Sequence, residues 1–195
     1  MLPASHDAQS IPAARALRIT ASTSARSFSG RQLRIAISRR TSVGVSEAAT
    51  RARVAQIPDG VYEGESACDW DGHDDRQIWV RVKAVVEGDS LTFDFSGSDA
   101  QATFVNCPIG VTICSAMVGL FYIVDSSVPK NGGAMAPVRF VIPEGSVVNP
   151  RYPATVGASQ ISVGTQIVEA CMLAVGKALP DRAMAAWSRH LCPIN

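Results

Sequence analysis

No apolar run in the chain is long enough to cross a bilayer: the longest, Ile109 to Val124, has 16 residues, against the roughly 20 that a spanning helix needs. No basic stretch followed by an apolar core marks a secretory signal. The five cysteines, Cys68, Cys107, Cys114, Cys171 and Cys192, are odd in number and contain no CxxC pair. A disulfide framework is therefore not indicated, and free thiols in a reducing cytoplasm are expected. The G-x-S-x-G elbow, the P-loop, the dinucleotide fingerprint and the HExxH helix are all missing, which removes the short motifs that announce a nucleophile, a phosphate cradle or a zinc protease. Lysine is missing from the first 56 residues.

That last absence divides the chain. Residues 1–56 hold nine arginines and only two acids, Asp7 and Glu47, a formal charge of about +7, whereas the whole chain of 195 residues is +1. The segment is rich in Ser, Ala and Thr and has one aromatic, Phe28, so it offers little apolar surface to offset the entropy of ordering it. An organellar transit peptide and a nucleic-acid-binding arm share this composition. A GC-rich gene translated out of frame gives it too, and that reading is preferred here. The remainder is long enough, and at 47% apolar for the whole chain hydrophobic enough, to build one globular core.

The stretch CDWDGHDD, Cys68 to Asp75, concentrates potential ligands. As a calcium loop it places Asp69 and Asp71 correctly, but His73 stands third, Asp74 replaces the obligatory glycine, and Val80 replaces the terminal glutamate. Zinc needs three or four converging ligands, and Cys68 and His73 are the only soft ones nearby. Asp and Gly favour turns through hydrogen bonds to their own backbone, so the stretch is read as a solvated turn.

Ile78, Val80, Val82, Ala84 and Val86 alternate with Trp79, Arg81, Lys83 and Val85, and alternation resumes at Leu91, Phe93 and Phe95 after the turn residues Glu87 to Ser90. This is a β-hairpin. Ile109 to Val124 is apolar on nearly every face, which predicts a helix buried on most sides. Val138 to Ile142 reads as a strand set among Pro and Gly turns. Ile161, Thr165, Val168, Met172, Val175 and Leu179 recur at helical spacing before Pro180. The fold class is α+β, a mixed sheet containing a hairpin over about 77–96, with packed helices over about 109–124 and 159–179 and an N-terminal segment that is largely disordered.

Candidate sites each have a plainer counterpart. Ser159, after Gly157 and Ala158, offers a helix cap or exposed amides for an anion, and the cap is preferred. Asp94 and Asp71 would make a carboxylate pair if the hairpin ends met, but aspartates at strand ends usually bond to turns. His190 and Cys192 could act as a nucleophile pair or as ligands, yet they fall in the last six residues, where supporting contacts are scarce. None of these yields a reaction.

The order of motifs is more telling. IPDGVYEGES, DWDGHDD, LTFDFSGS, NCPIGVT, VPKNGGAMAPVRFVIPEGSVVNPRYPATVGA and ALPDR together resemble the hydantoinase B/oxoprolinase family, from about Ile57 to the C-terminus and not within residues 1–56. The resemblance implies a domain over 57–195 that is part of a B-type subunit of an enzyme opening cyclic amides such as hydantoin or 5-oxoproline, with a ketone carboxylase subunit or a non-catalytic partner-binding module as alternatives. It implies a hydantoinase A-type partner that uses ATP, a small cyclic-amide substrate, and no nucleic-acid or membrane partner. This chain itself is expected to bind neither cofactor nor metal, since any metal ligands would belong to an upstream region it lacks. It is expected to be inactive alone and to expose apolar surface. Asp94, Asn131 and Arg151, polar groups in the motif-bearing loops, are the candidate catalytic residues.

Overall fold

The computed structural model describes residues 30–70, 73, 75–157 and 159–184, with side chains from residue 42 onward. Its elements, in order, are α1 (Gly30–Val54), β1 (Gly60–Cys68), β2 (Ile78–Glu87), β3 (Ser90–Asp94), α2 (Ile109–Val124), the single turn α3 (Gly132–Met135), β4 (Val138–Val141) and α4 (Val163–Ala178). A short 3-10 turn, Pro180–Arg182, follows at the proline that stops α4.

The sheet is mixed, in the order β1-β2-β3-β4. β1, β2 and β3 run antiparallel, and β4 lies parallel to β3 after the crossover through α2. The hairpin follows its alternation. Val80, Val82, Ala84 and Val86 of β2 point inward and are buried, as are Leu91 and Phe93 of β3, while Gly88 takes the left-handed φ of +60° that the tight turn requires. The inward side carries the core: Phe93, Phe95, Ile78, Leu91, Leu120 and Ile167 are fully buried, each contributing about 1.5–3 kcal/mol by leaving water. The Phe93 ring lies 6.2 Å from that of Phe140 and 6.4 Å from that of Phe95.

α4 covers β1 and β2, and α2 packs on α4. The approach of β1 to α4 depends on Gly64, where a β-carbon would stand 2.0 Å from the Ala170 carbonyl oxygen. α4 buries Val168, Met172 and Val175 of its expected stripe but extends beyond it. Ile161 lies outside the helix and is 63% exposed, whereas Ile167, Cys171 and Ala174 are fully buried. Because α4 is sandwiched between the sheet and α2, it buries most of its circumference, and a one-sided stripe does not describe it.

The compositional reading of residues 1–56 differs from the structure over the later part of that segment. α1 runs through Val54, and Ser46, Thr50 and Val54, one turn apart, are fully buried. Small residues can be buried without much apolar area when their polar atoms are satisfied: the Ser46 hydroxyl donates to the Ser42 carbonyl and Thr50 to that of Ser46, each at 3.0 Å. Arg51 pairs with Glu47 and Asp89, and Arg53 with Asp125, so these arginines bind the fold itself.

Candidate functional site

The outer side of the sheet carries a row of alternating charge. Glu63 of β1 stands opposite Lys83 of β2, which stands opposite Asp94 of β3, and Lys83 Nζ lies 3.2 Å from Glu63 Oε1. One register step away, Arg81 pairs with Glu65 at 3.3 Å and with Asp99 at 3.0 Å, and its guanidinium sits over the Trp79 ring. With Lys177 of α4, whose ammonium donates to the Glu63 carbonyl at 2.6 Å, Glu63, Glu65, Arg81, Lys83 and Asp94 line a cleft of about 270 Å³. Cross-strand pairs of this kind each contribute a fraction of a kcal/mol. Asp94 is also committed to its turn, since its Oδ1 accepts the Ser96 N–H at 2.8 Å. That is the local bond expected of an aspartate closing a strand.

Asn131 occupies a different place. It caps α3, its Oδ1 accepting the N–H groups of Gly133 and Ala134 while its Nδ2 donates to Ser46 of α1. Arg151 lies in the loop before α4, with Nε 3.7 Å from Glu144 Oε2 and both side chains about two-thirds exposed. Its backbone N–H donates to Gln101 Oε1 at 2.8 Å. Asp94 faces the charged cleft, Asn131 an apolar cavity beside α2, and Arg151 neither. The three are not gathered into one centre.

Ser159 does not cap α4. The cap position is Ser162, and Ser159 lies buried with its carbonyl accepting the Gly164 N–H at 2.7 Å. Asp71, Gly72 and Asp74 of the CDWDGHDD stretch, together with Ala158, His190 and Cys192, lie outside the described residues. In what is described of that stretch, Trp70, His73 and Asp75 are exposed.

One polar group escaped sequence reading. Ser66 on β1 and Gln166 on α4 are buried, and the Ser66 hydroxyl oxygen lies 2.5 Å from both Gln166 Oε1 and Glu169 Oε2. A hydroxyl has one hydrogen and can donate to only one of the two. A Gln166 amide turned over would let its NH₂ donate to Ser66 while Ser66 donates to Glu169. The available signals were a serine at an inward position of β1 and the i, i+3 pair Gln166 and Glu169 inside an apolar helix.

Burial pushes the Cys107 thiol up to about 11 and the Cys171 thiol well above its ordinary range, so both resist ionisation and are poor nucleophiles. No three His, Cys, Asp or Glu side chains converge as metal ligands among the described residues. Among those residues no helix is long and apolar enough to cross a membrane. Among the described residues the arrangement supplies charge rows and caps, and a hydroxyl that meets a carboxylate, Ser66 on Glu169, is buried.

Residues 39–195 match the sequence profile of the family described as Hydantoinase B/oxoprolinase. The match begins within α1, upstream of the boundary near Ile57 drawn from motifs alone. The caprolactamase subunit beta of Pseudomonas jessenii is 25% identical over 146 residues, 74% of this chain and 25% of that protein. The 5-oxoprolinase of Dictyostelium discoideum is 29% identical over 104 residues, 53% of this chain and 8% of that protein. Among solved structures, the ATP-dependent caprolactamase from Pseudomonas jessenii shares the fold with a TM-score of 0.69 at 23% identity, over 80% of this chain and 27% of that one. The chain thus spans about a quarter or less of the length of the curated relatives it matches.

Proposed function

Since the chain belongs to the hydantoinase B/oxoprolinase family, we propose that it forms part of a B-type subunit of an ATP-dependent cyclic-amide hydrolase, opening a ring such as hydantoin or 5-oxoproline. The family match carries this reading. An A-type partner would use ATP to activate the substrate. An amide carbon is a poor electrophile because nitrogen donates into the carbonyl, and phosphorylating the amide oxygen removes that resonance and creates a leaving group.

Within such a subunit this chain would supply a support layer, with Asp94, Asn131 and Arg151 as its polar contributions from the motif-bearing loops. The support reading follows from how these residues are engaged. Asp94 Oδ1 and Asn131 Oδ1 each accept backbone N–H groups, and neither side chain forms an ion pair among the described residues.

The partner is tested by gel filtration of the chain mixed with a purified A-type subunit. Co-elution as a stoichiometric complex is expected. Separate elution at micromolar concentrations would contradict the A-type partner.

A further inference from the structure

α2 carries a face that nothing in the described chain covers. Val118 is 44% exposed and Tyr122 52% exposed, and across a gap from them Met135 is 38% exposed. A cavity of about 610 Å³ separates this face from α3, and a second of about 610 Å³ lies towards Gln160 and Val168. Cys114 and Val118 line both, so the two form one trough along α2 from Gly110 to Tyr122, ~18 Å at 1.5 Å per residue. Its length suits about three turns of helix. Single exposed apolar residues are ordinary, but a continuous apolar trough marks an interaction surface.

The chemistry of the lining narrows the occupant. Lys130 is the one charged side chain among the described residues that line the trough, and its ammonium lies 5.0 Å from the Phe121 ring centroid. A second copy of this chain would present the same lining, which has no carboxylate for Lys130. The matched relatives, by contrast, have about three-quarters or more of their length outside the stretch that this chain spans. We propose that the trough seats an amphipathic helix from that remaining part of a B-type subunit, its apolar stripe on Val118 and Tyr122 and a carboxylate against Lys130. The proposal rests on the family reading above. It adds which face is covered, by what kind of element, and with what charge.

Cys114, exposed on this face, reports occupancy. Overlapping synthetic peptides of about 20 residues, covering the part of the Pseudomonas jessenii caprolactamase subunit beta outside the match, are added to the intact chain. Cys114 alkylation is then followed by peptide mapping. One helical, acid-bearing peptide should slow alkylation about tenfold when present at about ten times its dissociation constant. Val118→Asp should abolish the protection, and Lys130→Gln should weaken it, while neither changes the melt of the free chain. Protection by no peptide, protection that survives Val118→Asp, or protection that grows with the chain's own concentration would each overturn the proposal, the last in favour of a second copy. Ring opening is not measured, so a failure here is separate from a failure of the proposed reaction.

Discussion

Asn131 Nδ2 donates to Ser46 Oγ at 2.8 Å across 85 positions of sequence, and this bond joins the Asn-Gly-Gly turn to a helix that composition alone assigned to an unstructured arm. The same side chain caps α3 through Oδ1. Asn131 is thus a joint between two elements, and its structural role can be separated from any catalytic one.

Asn131→Ala should lower stability by about 1–3 kcal/mol, because it removes a cap and leaves the buried Ser46 hydroxyl without its donor. Asn131→Asp keeps the cap acceptor and loses only the donor, so it should fall between wild type and Ala. Thermal melts of the three proteins decide. Equal melting temperatures would show that the joint carries no stability.

Gly133 sits where a β-carbon would stand 1.9 Å from the Val43 carbonyl oxygen, whereas a β-carbon on Gly132 meets nothing within 4 Å. Gly133→Ala should therefore push α1 away and cost at least about 1–3 kcal/mol, as overpacking against rigid backbone does. Gly132→Ala should be close to neutral. Urea midpoints for the pair give the contrast, and similar midpoints would contradict this docking of α1.

Asp125 is held at about 2 by hydrogen bonds from the Ser127 hydroxyl and backbone N–H and by Arg53. Its folded value lies below the ordinary carboxylate value of 3.8, so the stability it contributes is present above that ordinary value and is lost as pH falls towards 2. Asp125→Asn should flatten the fall in melting temperature between about pH 4 and pH 2. An unchanged acid profile would show that Asp125 does not contribute to it.

Thiol chemistry should separate the cysteines by burial. At pH 8 a maleimide should modify exposed Cys114 readily, and Cys107 and Cys171, whose ionisation burial suppresses, only after unfolding. Rapid native labelling of Cys171 would contradict the packing of α4 between the sheet and α2.

Much of the fold was legible in the sequence, for identifiable reasons. The hairpin showed because β2 and β3 have one wet face, so burial imposes a period of two, and α2 showed because an uninterrupted apolar run of 16 residues has few other uses. α1 was hidden because its inward positions are Ser46 and Thr50, small polar residues buried through bonds to their own helix. The stripe read for α4 was right at Val168, Met172 and Val175 but incomplete, because a helix covered on two sides has no single apolar face. The site was less legible still. Ser66, Gln166 and Glu169 meet across about 100 positions, a pairing that local pattern cannot disclose. Asp94, Asn131 and Arg151 were chosen from motif-bearing loops, and loop position does not say what a side chain will touch.

We propose that this chain is part of a B-type subunit without a complete catalytic centre of its own. This is tested most directly by measuring ATP-dependent ring opening of 5-oxoproline and hydantoin by the purified chain with an A-type subunit, beside a full-length B-type subunit under the same conditions. Turnover is expected with the full-length subunit and none with the chain. Substrate-dependent turnover by the chain, reduced by Asp94→Asn or Arg151→Gln, would contradict it and place a working centre within these residues.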